Sequence, residues 1–418
     1  MDAVSINESL DHLFRHHAGQ MVSVLSRIFG LEKLDLIEDA IQDALIAAMK
    51  TWPINGTPDN PKAWLIQVSK NKILDRLRRN KKFSSDETEF EQISIPEFSD
   101  DVFFDNEVSE DMLQMMFACC HPAVPPDSQV ALTLKTVGGF SVSEIAGAFL
   151  ANDEAIAKML TRAKNRLREQ NVRLEIPHSG KLVSRQDAVL RVLYLMFNEG
   201  YSASTGESLI RADLCHEAIR LARLVAGHQV TRSPKTHALC ALFLFQAARL
   251  PARLDKEGGL LILEEQDRTQ WDKRLVAEGL DHLRLSAGGD ELSDYHLEAE
   301  IASLHTLAPG FEATNWRRIT QCYDELLRRK PSPIIALNRI VALSRTRGAK
   351  AALVELAKLR DGKKLQNYAP FFVTKGELEK RGNDPAAALA SFTAALKLTN
   401  NRPTIDFIAR KIADLKLL

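Results

Sequence analysis

Residues 141–169 read SVSEIAGAFLANDEAIAKMLTRAKNRLRE, and the interpretation of this stretch decides the fold. Ser141 and Glu144 have the spacing of a capping box, in which a hydroxyl and a carboxylate satisfy the orphan N–H groups that open a helix. LAND (150–153) is a short turn, and beyond it Ile156, Leu160, Ala163 and Leu167 recur at steps of four and three along one helix side. The second segment also carries Lys158, Arg162, Lys164, Arg166 and Arg168 against few acids. Two short helices joined by four residues, the second basic, form a helix-turn-helix pattern, although a plain helical hairpin has the same signature. Glu154, Lys158, Thr161, Arg162 and Asn165 point away from the apolar side, as a helix entering the major groove requires.

Helical periodicity extends in both directions. Leu10, Leu13, Phe14, Met21, Val24, Leu25 and Ile28 form one stripe that Gly30 closes. Asp35 with Glu38 looks like another capping box, and the helix it opens is expected to stop at Pro53. Asn60-Pro61 supplies an N-cap followed by proline at the first helical position, starting a third helix that runs to about Arg79. Upstream of 141, MLQMMFACC and DSQVALTLKTV are helical and the latter ends at Gly138-Gly139. From about 181 onward helix follows helix, and no alternating strand pattern persists. The sequence therefore predicts an all-α fold.

The composition agrees. Over 418 residues, 20 glycines and 16 prolines are few, and the apolar share of 45% is that of a globular chain. Lys+Arg and Asp+Glu both number 55, so a uniformly basic nucleic-acid coat is excluded. The charge is segregated, however. Residues 62–82 hold eight basic side chains (Lys62, Lys70, Lys72, Arg76, Arg78, Arg79, Lys81, Lys82) against Asp75 alone, whereas 83–111 hold eleven acids and no lysine or arginine. The acidic stretch has little periodicity and is expected to be a linker. The expected organisation is a helical domain over 1–82, an acidic linker over 83–110, a helix-turn-helix domain over 111–175 and a helical extension over 176–418.

In that extension Gly376, Ala388, Phe392 and Ala395 match the small and aromatic positions of the tetratricopeptide pattern, and AALVELAKL at 351 aligns with AALASFTAAL at 387. The five cysteines are odd in number, scattered and without a CxxC pair, so a disulfide scaffold is not expected. The start has no secretory pattern and no apolar run is long enough to span a membrane, which together predict a reduced, cytoplasmic protein with no membrane partner.

Two faces could carry function. On the third helix Trp64, Gln67, Asn71, Arg78 and Lys82 share one narrow sector, bordered by positive charge that includes Lys72, Arg76 and Arg79. An indole offers a stacking platform, amides bond exposed base edges and cations follow phosphates, so the face suits unstacked bases; a core role for Trp64 with solvated lysines around it is the alternative. The second face is the 154–165 helix. Other features have plainer readings. Cys119-Cys120-His121 lacks a second, correctly spaced ligand pair, so packing is expected and no metal. Asn198 to Tyr201 reads as a helix end. Glu264, Glu265, Asp267 and Asp272 around Trp271 suit either a cation or basic partner, or a solvated helix start. No phosphate loop, metalloprotease motif or nucleophile motif is present, so neither a cofactor nor catalysis is expected.

With these elements in order, the sequence resembles a bacterial RNA polymerase sigma factor of the extracytoplasmic-function class. DLIEDAIQDALIAAMKTW (35–52) is similar to the family's region 2.2, NPKAWLIQVSKNKILDRLRR (60–79) to regions 2.3 to 2.4, and 141–169 to region 4. LRVLYLMFNEGYSAS (190–204) and LEEQDRTQWD (263–272) are similar to the subgroup with a C-terminal tetratricopeptide-like extension. The resemblance implies partners and roles. Core polymerase would be engaged at its β′ clamp helices, through Asp35, Glu38, Asp39, Gln42 and Asp43, and at its β flap. The basic third helix would bind and melt the −10 element of promoter DNA. Lys158, Thr161 and Arg162, with neighbouring Ala157, occupy the family's −35-reading positions. Family members often have a basic residue at position 157 or 159, where this chain has Ala157 and Met159, which implies a different −35 sequence or weaker binding. The extension would be regulatory, with an unknown ligand or protein as its partner. An independent helix-turn-helix regulator with a repeat sensor leaves the Trp64 helix unexplained, and an enzyme within 181–418 is a third reading.

Overall fold

Helix formation dominates the computed structural model, which describes residues 17–83, 105–149, 151–201, 210–256, 258–359 and 365–417. Among these residues there is no strand, only an isolated antiparallel bridge between Leu254 and Leu260. The fold is all-α, as the periodicity predicts. The chain divides into two compact units, Met1–Leu195 and Met196–Leu418.

The first unit begins with α1 over 17–29, which buries Met21, Val24, Leu25 and Phe29 and ends at Gly30 with φ 88°. Leu10, Leu13 and Phe14, expected on the same stripe, lie outside the described residues. α2 (Leu34–Asn55) departs from expectation at both ends. A 3-10 turn, Leu31–Lys33, leads into it, so Asp35 and Glu38 sit inside its first turns and form no capping box. It also runs through Pro53. A proline in the last turn forfeits one backbone bond, and the Gly56 N–H still reaches the Trp52 carbonyl at 2.9 Å. α3 (Pro61–Phe83) starts as expected, with the Asn60 side-chain oxygen accepting the Ala63 N–H at 3.0 Å. It packs on α2, and Trp64 meets Trp52 edge to face at 5.4 Å.

α4 (Asp105–Cys119) begins within the stretch expected as linker, because Val108, Met112, Leu113, Met115 and Met116 supply a buried stripe. α5 (Pro126–Thr136), α6 (Val142–Phe149) and α7 (Asp153–Glu169) follow. The capping box at the start of α6 is complete. The Ser141 N–H donates to Glu144 at 2.8 Å, and the Glu144 N–H donates to the Ser141 hydroxyl at 3.1 Å. Asn152 caps α7 by accepting the Ala155 N–H at 2.8 Å. A side chain at Gly19 of α1 would put its Cβ 1.8 Å from the Val137 carbonyl, so glycine there lets α1 close on the end of α5. α8 (Leu182–Tyr201) is continuous across the division between the units, and its Arg185 donates to the Phe117 carbonyl of α4. The first compact unit therefore runs past the 175/176 boundary.

The second unit contains α9 (Ala212–Gly227), α10 (Pro234–Ala247), α11 (Lys273–Ser286), α12 (Asp294–Leu307), α13 (Trp316–Arg329), α14 (Pro333–Lys358), α15 (Ala369–Arg381), α16 (Pro385–Leu396) and α17 (Arg402–Lys416). α10 is apolar nearly all round and is packed by α9, α11 and α12, burying Leu239, Phe243, Leu244 and Phe245. α14 is two helices meeting at Gly348, whose φ of 83° only glycine adopts without strain. Consecutive helices then pack in pairs, α13 on α14 and α15 on α16. An ideal Cβ at Gly376 would lie 2.9 Å from the Phe392 ring, so the small residue is what lets α15 approach α16. No helix of the described residues is long and apolar enough to cross a membrane.

Candidate nucleic-acid interface

The α7 face is assembled by burial of its opposite side. Ile156, Leu160, Ala163 and Leu167 are buried, which turns Glu154, Ala157, Lys158, Thr161 and Arg162 out to solvent. Lys158 bonds Glu154 at 2.6 Å, one turn away, so its ammonium is exposed but already paired. The Thr161 hydroxyl donates to the Ala157 carbonyl at 2.9 Å. Arg162 has no bonded partner among the described residues. Asn165 is half-buried and accepts from Arg168 at 3.2 Å.

On α3, Gln67, Asn71, Arg78 and Arg79 are exposed, and the Gln67 amide donates to Asn71 at 3.2 Å. Trp64 is half-buried and meets Trp52 edge to face, so it is neither wholly a core residue nor wholly a surface one. Lys72 is half-buried beside them. Arg76 turns the other way. Its guanidinium spans to α2, 3.3 Å from Asp39 and 2.7 Å from Asp43, and so ties the two helices together. Lys70 is buried, and loss of hydration draws its pKa down, so it contributes nothing to a surface cation stripe.

The α2 acids have a partner that the sequence reading missed. Lys164 of α7 is 9% exposed and places its ammonium 2.7 Å from Asp35 and 2.8 Å from Glu38. Arg168 adds a longer contact to Asp35 at 3.5 Å. Burial alone would draw the Lys164 pKa down, but the Glu38 and Asp35 carboxylates outweigh it and the net shift is upward. A signal for this was present in the sequence: Lys164 lies four residues beyond Leu160, on the apolar stripe rather than the polar face. Of the five α2 residues, Gln42 is exposed without a bonded partner among the described residues, Asp39 and Asp43 meet Arg76, and Asp35 and Glu38 meet Lys164.

The remaining candidates are structural. Cys119 and Cys120 are fully buried, the former 3.0 Å from the Thr136 hydroxyl, and burial pushes the Cys119 thiol up to about 12 and Cys120 higher still. The other three cysteines are also free and buried. Among the described residues no cluster of three or more His, Cys, Asp or Glu could hold a metal. Asp272 caps α11 through the Arg274 and Leu275 N–H groups. Asp267 accepts from Thr269, Glu265 pairs with Lys411, and Glu264 pairs with Arg345 and Arg381.

Comparison with known proteins places these faces in context. The sigma-70 region 2 family matches residues 13–83, the segment that contains α2 and the Trp64 face of α3. A family of unknown function, DUF6596, matches residues 185–287. A protein of Rhizobium meliloti (strain 1021), described as uncharacterized, is 36% identical over 397 residues, covering 94% of this chain and 92% of its own length. No solved structure matches significantly.

Proposed function

Because the chain belongs to the sigma-70 family, with region 2 near its N-terminal end and nearly its whole length shared with the Rhizobium meliloti protein, we propose that it is an extracytoplasmic-function sigma factor. In this reading it directs core polymerase to specific promoters and catalyses no reaction. It acts in the cytoplasm, where polymerase and promoter are. The observation that carries the reading is the second, chemically distinct polar face on α7, which lies downstream of a matched region 2.

Each face has a physical task. Trp64 offers a ring to an unstacked base, worth about 1–3 kcal/mol per stacked base, while Gln67 and Asn71 bond base edges and Lys72, Arg78 and Arg79 follow the strand's phosphates. Arg76 holds α3 on α2 and thereby positions that face. On α7, Glu154, Ala157, Lys158, Thr161, Arg162 and Asn165 read the −35 element, with Arg162 unengaged among the described residues and Lys158 able to exchange Glu154 for a base edge or phosphate. Asp35, Glu38, Asp39, Gln42 and Asp43 meet the β′ clamp helices, and region 4 meets the β flap. Since Lys164 occupies Asp35 and Glu38 in this arrangement, docking through those two acids requires α7 to give way. The extension, which we read as tetratricopeptide-like, regulates this engagement.

Gel filtration of the full chain with purified core polymerase tests the assignment. A stable stoichiometric complex is expected. Sequence-specific DNA binding without any affinity for core polymerase would instead identify a stand-alone regulator.

A further inference from the structure

The second unit holds a cavity of about 540 Å³, within the range of small-molecule sites. Four guanidiniums line it: Arg249 and Arg253 from the segment after α10, Arg345 from α14 and Arg381 from α15. Two carboxylates, Glu264 and Glu377, line the same wall, and both act on Arg381, but of the two only Glu264 is ion-paired to these guanidiniums among the described residues. Glu264 presents a single oxygen to Arg345 at 2.6 Å and to Arg381 at 3.3 Å. Glu377, the other lining acid, is paired with Lys411 at 3.2 Å.

Arg249 and Arg253 have no carboxylate partner among the described residues. Arg249 bonds the Gln266 and Gln246 side-chain oxygens at 3.3 and 3.2 Å. Arg253 is 9% exposed, donates to the Tyr201 carbonyl and stacks 3.8 Å over the Tyr201 ring. A buried cation is ordinarily paired, so leaving Arg253 without a carboxylate carries a standing cost. The like charges are felt across the cavity. Burial first and then Arg249 hold the Arg253 pKa down, and burial and Arg345 do the same for Arg381. His305, also on the wall, is pushed down to about 3 by burial and by Arg249 and Arg268, so it is neutral at pH 7. Among the described residues, three buried polar atoms on this wall have no hydrogen-bond partner: Nδ1 of His305, Nε of Arg345 and Oε1 of Glu377, the last held only by its ion pair with Lys411. Beside these polar groups lie the Trp316 ring and apolar Leu261, Ile301 and Ile319.

We propose that this cavity binds a small oxyanion, a carboxylate or phosphate carried on an apolar body of about ring size. The anionic head sits among the guanidiniums of Arg249, Arg253 and Arg345, whose planar forks match either group. The apolar body lies against Trp316 and the aliphatic wall. The inference concerns the second unit alone and does not depend on the promoter-binding reading.

The test is calorimetric titration of the full-length protein with phenyl phosphate, benzoate and inorganic phosphate, each at matched ionic strength. Saturable binding of phenyl phosphate or benzoate, tighter than inorganic phosphate, is expected, and the stronger of the two identifies the head group. Arg249→Gln and Arg345→Gln come from different elements, so a folding defect in one leaves the other informative. Each should weaken binding by about tenfold or more, the loss typical of a charged hydrogen bond. Arg284→Gln, on the exposed side of α11, should leave affinity unchanged. Absence of saturable binding by all three probes, inorganic phosphate binding as tightly as both aromatic probes, or retention of full affinity in both cavity variants would overturn the proposal. Because the readout is binding, failure here leaves polymerase recruitment untouched, and failure of recruitment leaves this result standing.

Discussion

Replacing Lys164 by methionine isolates the contact between α7 and α2, because the stem is retained while the ammonium is lost. Asp35, 59% exposed, rehydrates in place and loses little, since exposed pairs contribute about 0–1 kcal/mol. Glu38 is only 15% exposed, and its Oε1 already lacks a partner, so its charge is left stranded. Removing one member of a buried pair costs about 3–5 kcal/mol, and the residual water access at Glu38 brings the expectation to about 2–3 kcal/mol. With a urea slope of about 1–3 kcal/mol per molar, the midpoint of the first unit should fall by about 1 M. Hydrogen exchange with peptide resolution through the urea series follows residues 17–83 separately from 210–417 and so reads the correct unit. Glu38→Gln in the Lys164→Met background should recover about half the loss, because the stranded charge is then gone. The folded-state pKa of Lys164 is raised, so the stabilisation is complete below the ordinary lysine value of 10.5 and is lost only as pH rises through the higher folded value. The deficit of the variant should therefore be flat from neutral pH to about 10.5 and shrink only above it. If docking displaces Lys164, the variant should also bind core polymerase several-fold more tightly. A variant as stable as the parent at pH 7 would refute the reasoning.

Three further outcomes follow from the same geometry. Lys158→Ala and Arg162→Ala should each weaken −35 binding by about 1–3 kcal/mol and relax base preference, measured by binding to a randomised −35 library; equal losses on every sequence would mean phosphate contact instead. Replacing Asp39 and Gln42 together by alanine should abolish core binding while circular dichroism shows α2 intact, since both are exposed and alanine favours helix. Gly376→Ala should cost about 1–3 kcal/mol, because its Cβ would press on the Phe392 ring at 2.9 Å, and thermal melting of the second unit checks it.

What the sequence displayed was local. Capping at Ser141/Glu144 and Asn60, the buried side of α7 and the close packing at Gly376 all follow from short-range spacing, and the structure contains each of them. What it concealed was tertiary. Asp35 and Glu38 have the same spacing as a genuine capping box, but here the acids answer a lysine 129 and 126 positions away. The i,i+3 pattern could not distinguish those uses, whereas the placement of Lys164 on an apolar stripe could have. Pro53 reads as a stop because proline breaks helix interiors, yet in a last turn little remains to be broken. The acid-rich start of α4 outweighed, in the sequence reading, an apolar stripe that begins at Val108. Glu264 was visible in the sequence and the arginines it shares a cavity with were not, because Arg249, Arg253, Arg345 and Arg381 converge only through the packing of separate segments.

The central claim is that this chain gives core polymerase promoter selectivity, and run-off transcription with purified core polymerase on a pool of genomic fragments measures it directly. Full-length protein should produce transcripts starting from fragments that share −10 and −35 elements, and Trp64→Ala and Arg162→Ala should remove that selection while core binding persists. Transcription no greater than that of core polymerase alone, on fragments that the protein nevertheless binds, would contradict the account.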